Sequence, residues 1–225
     1  METLVDLKKL PARRDYAAWA YEGSGVEKLW SDFEEFFMYY LSARREISAT
    51  LPEYADFDIR LWFLQIMKRS FPEMAPEKMD SAAGSLYENF WNNYKSGCHV
   101  KEDVLQTLPR LKEKYRLGVV SNFLVVGGIE ELLGLLDIAK YFDFIVTSVA
   151  EGHRKPFPGI YRRALELSRV SPGQVVFVGD DLENDYNAPL ALGMTPFFLD
   201  RYDRHMGLKN RVTDFYELAA MLLGP

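Results

Sequence analysis

The chain has 225 residues, 27 Lys plus Arg against 33 Asp plus Glu, 48% hydrophobic residues, 14% aromatics and one cysteine. That is enough apolar material to bury a core without disulfide staples, so a disordered chain and a disulfide-built scaffold are excluded. No apolar run reaches the roughly 18 residues of a membrane span, and a net charge of −6 without a basic stripe excludes a dominant nucleic-acid role.

The opening METLVDLKKLPARR lacks an apolar signal stretch, and Cys98 has no second cysteine to pair with. A reducing, cytoplasmic setting is therefore expected. From about residue 14 to 115 the pattern is helical. GVEKLWSDFEEFFMYYLSARREI places Val26, Leu29, Trp30, Phe33, Phe36, Phe37, Tyr40 and Leu41 at spacings of three and four, predicting one long amphipathic helix. IRLWFLQIMKRSF and MDSAAGSLYENFWNNY predict two more, separated by Pro52, Pro72 and Pro76, with Gly97 ending the last. Aromatics at helical spacing point to a packed core rather than a base-stacking platform.

From residue 116 onward, short β-branched runs alternate with helical segments, the pattern of βαβ units. The runs are LGVVS at 117–121, FDFIVTS at 142–148, QVVFVGD at 174–180 and TPFFLD at 195–200. Helices are expected at GGIEELLGLL, at PGIYRRALELS, from Asp185 to a C-cap at Gly193, and at TDFYELAAMLLG behind an N-cap at Thr213 or Asp214. The predicted fold class is α/β, a Rossmann-like parallel sheet with helices on both faces plus an all-helical cap. Residues 1–13 are assigned to a residual or truncated first strand, 14–97 to the cap and 98–225 to the core.

Ligands of parallel sheets gather at the carboxyl ends of strands. Those ends carry Ser121-Asn122, then His153-Arg154-Lys155-Pro156, then Gly179-Asp180-Asp181 with Asp185 following. Clustered acids are costly without a positive partner, and hard oxygen donors suit Mg²⁺. Asp180, Asp185 and Asp181 are the candidate metal ligands; Asp181 or Asn184 has the alternative of simply capping the next helix. Ser121, Asn122 and Lys155 are the candidate phosphate ligands. His99, His153 and His205 follow no zinc spacing, although His153 is close enough to Lys155 to line the site. Gly127-Gly128 lacks the spacing of a dinucleotide loop.

The order VVSN, GHRKPFPGIYRRAL, VVFVGDDLENDYNAPLALGM resembles the haloacid dehalogenase superfamily over roughly residues 98–200. Ser121 matches its second-motif hydroxyl, Lys155 its third-motif lysine, and Asp180 with Asp185 its fourth-motif acids. The resemblance implies an Mg²⁺-dependent phosphatase of a small phosphorylated metabolite, or less often a dehalogenase, working through an aspartyl intermediate. It also implies a cap that closes over the substrate. The abundant aromatics of the cap leave room for either a monomer or a homodimer.

The first motif of that family, DxDG[TS], is not found in the chain. The nearest candidate nucleophile is Asp6, with Lys8 where a proton-transferring Asp is expected, a residue that would repel a cation. By resemblance the first strand lies between those carrying the second and fourth motifs. Either residues 2–7 fill that slot as a short strand, or the chain is a shortened version of a longer enzyme, or another copy fills it. The expected outcome is weak or absent turnover, with a non-catalytic phosphate- and metal-binding protein as the alternative.

Overall fold

The computed structural model describes residues 2–224. The chain divides into two compact units, Leu7–Cys98 and Met1–Asp6 with His99–Pro225. At the division, the short segments Asp6–Leu7 (β1) and Cys98–His99 (β2) pair as a two-stranded ribbon.

The first unit is helical, with α1 at Arg13–Tyr21, α2 at Phe33–Thr50, α3 at Ile59–Ser70 and α4 at Pro76–Gly97. The single long helix expected from residue 25 is broken. Glu27–Leu29 forms a 3₁₀ turn, and α2 starts afresh behind Asp32, whose carboxylate accepts from the Glu35 amide. Glu35 returns a bond to the Ser31 amide at 2.7 Å, so two otherwise orphaned donors fix the start. Asn89 and Asn93 of α4 donate to the carbonyls of Glu22 and Trp19 at 2.8 and 3.0 Å, satisfying the end of α1. Phe36, Phe63, Ile66 and Leu86 are fully buried, and the Tyr40 and Trp62 rings lie 4.3 Å apart. The aromatics are therefore core, as their spacing predicts. Cys98 is a buried free thiol, pushed up to about 11 by desolvation, with its Sγ on the Tyr94 carbonyl.

The second unit has an α/β fold with parallel sheets. In order it contains α5 (Glu102–Lys114), β3 (Gly118–Ser121), α6 (Gly128–Leu135), β4 (Phe144–Thr147), α7 (Ser148–Glu151) and α8 (Pro158–Ser168). Then come β5 (Val176–Gly179), α9 (Ala188–Ala191), β6 (Thr195–Leu199), β7 (Arg211–Val212) and α10 (Phe215–Leu223). β3 pairs with β4 in parallel, Ser121 opposite Thr147, while β5, β6 and β7 form a second parallel sheet. Ile160 and Tyr161 of α8 are fully buried against Val146 and Met194, with partly buried Val120 and Phe177 packed on the same cluster. This single helix thus ties both sheets to one core. No helix among the described residues is long and apolar enough to cross a membrane.

Among the described residues, no strand pairing joins β3 to β5. The short strand expected to fill that slot from residues 2–7 is instead β1, whose ladder partner is β2, and the Lys8 amide continues the ribbon to the Gly97 carbonyl at 3.0 Å. Two residues of extended chain can satisfy one neighbour, and Cys98–His99 supplies it.

A buried carboxylate closes the loop after β6. Asp200 accepts from the amides of Arg204 and His205 and from Arg211 Nε, all at 2.8 Å. Burial alone would raise its pKa, but these donors outweigh it and hold the group at about 2. A depressed folded-state pKa gives stability that is complete above the unfolded value of roughly 3.9 and is lost as pH falls towards 2. Asp200→Asn is therefore expected to lower stability at pH 6 but not at pH 2, a difference read by urea melts at both; equal losses would remove the assignment.

Candidate active site

The polar groups at the strand ends are drawn together by one side chain. Lys155 Nζ lies 2.6 Å from Asp185 Oδ1 and 3.1 Å from the Val120 carbonyl. It therefore joins the end of β3 to the turn after β5. The ammonium is only 10% exposed and the carboxylate 7%. Nζ also stands 5.6 Å over the Phe177 ring. In a pair this well buried each charge offsets part of the other's desolvation cost, and removing either would leave an uncompensated charge.

Asp185 arrives through an unusual turn. A helix was expected to start at Asp185; instead Leu182–Asn187 is a π-helical turn leading into α9. Asp181 caps it, its Oδ1 accepting from the Asn184 amide at 2.8 Å. The capping alternative thus holds for Asp181, one of the three acids considered as metal ligands. The Asp181 amide in turn donates to Asp185 Oδ2 at 3.2 Å, so both oxygens of Asp185 are engaged. Tyr161 Oη donates to the Asn184 carbonyl at 2.6 Å and anchors the turn to the core. Gly179 is required by space: a Cβ there would lie 2.3 Å from the Asp185 Cγ.

Asp180 carries the second acid. Burial raises its pKa, and the nearby Asp185 charge adds to the rise, while a hydrogen bond donated by Thr3 Oγ1 opposes it. Thr3 has no motif in the sequence to mark it, and sequence reasoning missed it. Ser121 ends β3 and is buried, adjacent to the carbonyl that Lys155 holds. Asn122 does not face away as a free ligand: its Oδ1 accepts from the Lys155 amide at 2.7 Å and its Nδ2 donates to the Lys155 carbonyl at 3.1 Å. His153 packs edge-on against Phe157, with ring centroids 4.6 Å apart.

Asp6, the candidate nucleophile, pairs with a different lysine, its Oδ2 2.7 Å from Lys101 Nζ. The structure thus gathers Lys155, Asp185 and the backbone at Val120, with Asp180 and Ser121 as chain neighbours, and gives Asp6 a different partner. Among the described residues no three His, Cys, Asp or Glu side chains form a metal-ligating cluster. Mg²⁺, however, is usually held by one or two carboxylates, with waters and substrate phosphate supplying the rest. Asp180 and Asp185 are the residues that would hold such an ion, and a divalent charge would offset the Asp185 repulsion that adds to the burial-driven rise at Asp180.

A family profile described as haloacid dehalogenase-like hydrolase matches residues 40–198. The chain belongs to this family. It is 31% identical over 204 residues to haloacid dehalogenase-like hydrolase domain-containing protein 3 of Homo sapiens, covering 88% of this chain and 78% of that protein. It is 29% identical to the glyceraldehyde 3-phosphate phosphatase of Pyrococcus abyssi, covering 86% of this chain and 75% of the relative. In fold it is similar to the 2-haloacid dehalogenase of Pseudomonas syringae pv. Tomato DC3000, with a TM-score of 0.77 at 19% identity, over 99% of this chain and 95% of that one. This haloacid dehalogenase-like hydrolase has relatives named as phosphatases, and the fold is shared with a dehalogenase.

Proposed function

We propose that the second unit is a phosphate site of the phosphatase type, taking a small phosphorylated metabolite together with Mg²⁺. The observation that carries this reading is the buried Lys155–Asp185 pair at the convergence of two parallel-strand ends, beside a second acid whose pKa is raised. Lys155 and the Ser121 hydroxyl would bind the phosphoryl oxygens, while Asp180 and Asp185 would hold the cation. A divalent ion bound there would neutralise charge on the phosphate and allow it to approach two carboxylates. The likeness to a phosphatase at 29% identity supports a phosphate ester over a halide substrate.

The engagement of Asp6 with Lys101 favours a second reading, binding with weak or absent turnover, because a carboxylate held in an ion pair at 2.7 Å is a poor nucleophile. Calorimetry with Mg²⁺ and inorganic phosphate, beside hydrolysis of p-nitrophenyl phosphate, separates the two. The expected result is Mg²⁺-dependent phosphate binding that falls at least tenfold in Asp180→Asn, with little turnover. Brisk hydrolysis abolished by Asp180→Asn would favour a competent enzyme. Failure to bind either ion would end the phosphate reading.

A further inference from the structure

The residue after Ser121 is spent on another residue's backbone. Asn122 accepts from the Lys155 amide at 2.7 Å and donates to the Lys155 carbonyl at 3.1 Å, so one carboxamide holds both main-chain groups of the lysine. Both bonds are between neutral groups, so their role is to fix where a long, flexible side chain starts.

The peg itself is fixed from the other side. Ser148, fully buried at the start of α7 directly after β4, donates to the Phe123 carbonyl at 3.3 Å and accepts from the Phe123 amide at 2.8 Å. The two clamps interleave: the chain at 122–123 is gripped at Phe123 by the β4 end, and at Asn122 it grips the loop carrying Lys155. The Lys155 ammonium is fixed at its far end by Asp185 and the Val120 carbonyl. The lysine is thereby held at both ends, with its four methylenes spanning a fixed distance.

We propose that Asn122 is a positioning residue for Lys155, acting through the lysine backbone rather than by touching the phosphate. Deleting the carboxamide leaves the 153–157 loop free to shift, and the ammonium, no longer constrained at its base, samples positions away from the strand ends. Asn122→Asp keeps the acceptor for the Lys155 amide but sets a carboxylate oxygen against the Lys155 carbonyl, so it does not restore the grip. This inference rests on the phosphate reading only for one of its two measurements.

The test pairs a double-mutant cycle with a direct view of the lysine. In the first, inorganic phosphate and Mg²⁺ are titrated into the wild type, Asn122→Ala, Lys155→Ala and the double variant. Asn122→Ala is expected to weaken phosphate binding roughly tenfold in the wild-type background and by less than twofold once Lys155 is already alanine. Equal losses in both backgrounds would overturn the proposal and make Asn122 a direct ligand. In the second, ¹³C NMR of the lysine ε-carbons follows the Lys155 resonance without any ligand. Asn122→Ala is expected to move that resonance towards the value of exposed lysines while the melting temperature changes by only a few degrees. An unmoved resonance overturns the proposal whatever phosphate does, whereas a wild type that binds no phosphate but shows the resonance shift rejects the phosphate reading alone.

Discussion

Lys155→Met is expected to destabilise the α/β unit by about 3–5 kcal/mol at neutral pH, because methionine fills the space but leaves Asp185 buried beside Asp180 with no counter-charge. Two carboxylates sharing one low-dielectric site cannot both stay ionised cheaply, so at least one will take up a proton. The sign follows from that uptake. Groups whose folded-state pKa is raised stabilise the fold below their unfolded pKa, and this contribution is lost as pH rises through the folded value. The deficit of the variant should accordingly shrink between pH 7 and pH 4. Urea denaturation across that range is the check, and a deficit independent of pH would mean that Lys155 contributes packing rather than charge.

Gly179→Ala should also be damaging although it adds one methyl group. That methyl would fall 2.3 Å from Asp185 Cγ and 2.4 Å from its Cβ, and Asp185 cannot swing aside while Lys155 and the Asp181 amide hold its two oxygens. Overpacking of this kind costs about 1–3 kcal/mol, and relief would come only by breaking the ion pair on which the proposed phosphate site depends. The discriminating measurement is the same substitution in an Asp185→Ala background. There the methyl enters vacated space, and its cost should fall below roughly 0.5 kcal/mol. A cost that persists would place the clash with other atoms.

Much of this arrangement was legible in the chain, and the parts that were not share a cause. α3, β3, β5 and β6 appear within a few residues of their predicted limits because each has an apolar pattern of one period bounded by Gly, Pro or Asp. Ser121, Lys155 and Asp185 could be placed at strand ends because parallel strands of an α/β unit all point their carboxyl ends the same way. What failed was decided by hydrogen bonds that periodicity does not encode. The capping exchange among Ser31, Asp32 and Glu35 overrode an apolar stripe that continued through it. The Asp6 segment reads as half a strand, but a strand exists only where a neighbour offers its backbone, and that neighbour was Cys98–His99. Thr3 and Ser148 reach the site or its supports through hydrogen bonds with residues far away in sequence, which no local pattern announces.

The π-helical turn at Leu182–Asn187 makes chain length, more than chemistry, the quantity that this stretch must preserve. A wide turn differs from an ordinary one by a single residue, and each residue rotates a helix by about 100°. A one-codon deletion there would let the backbone relax into regular α-helix while swinging the Asp185 carboxylate away from the ammonium, leaving both buried charges without a partner. The segment would thus tolerate many changes of side chain on its outer face, yet read even the smallest gap as loss of the Lys155–Asp185 pair.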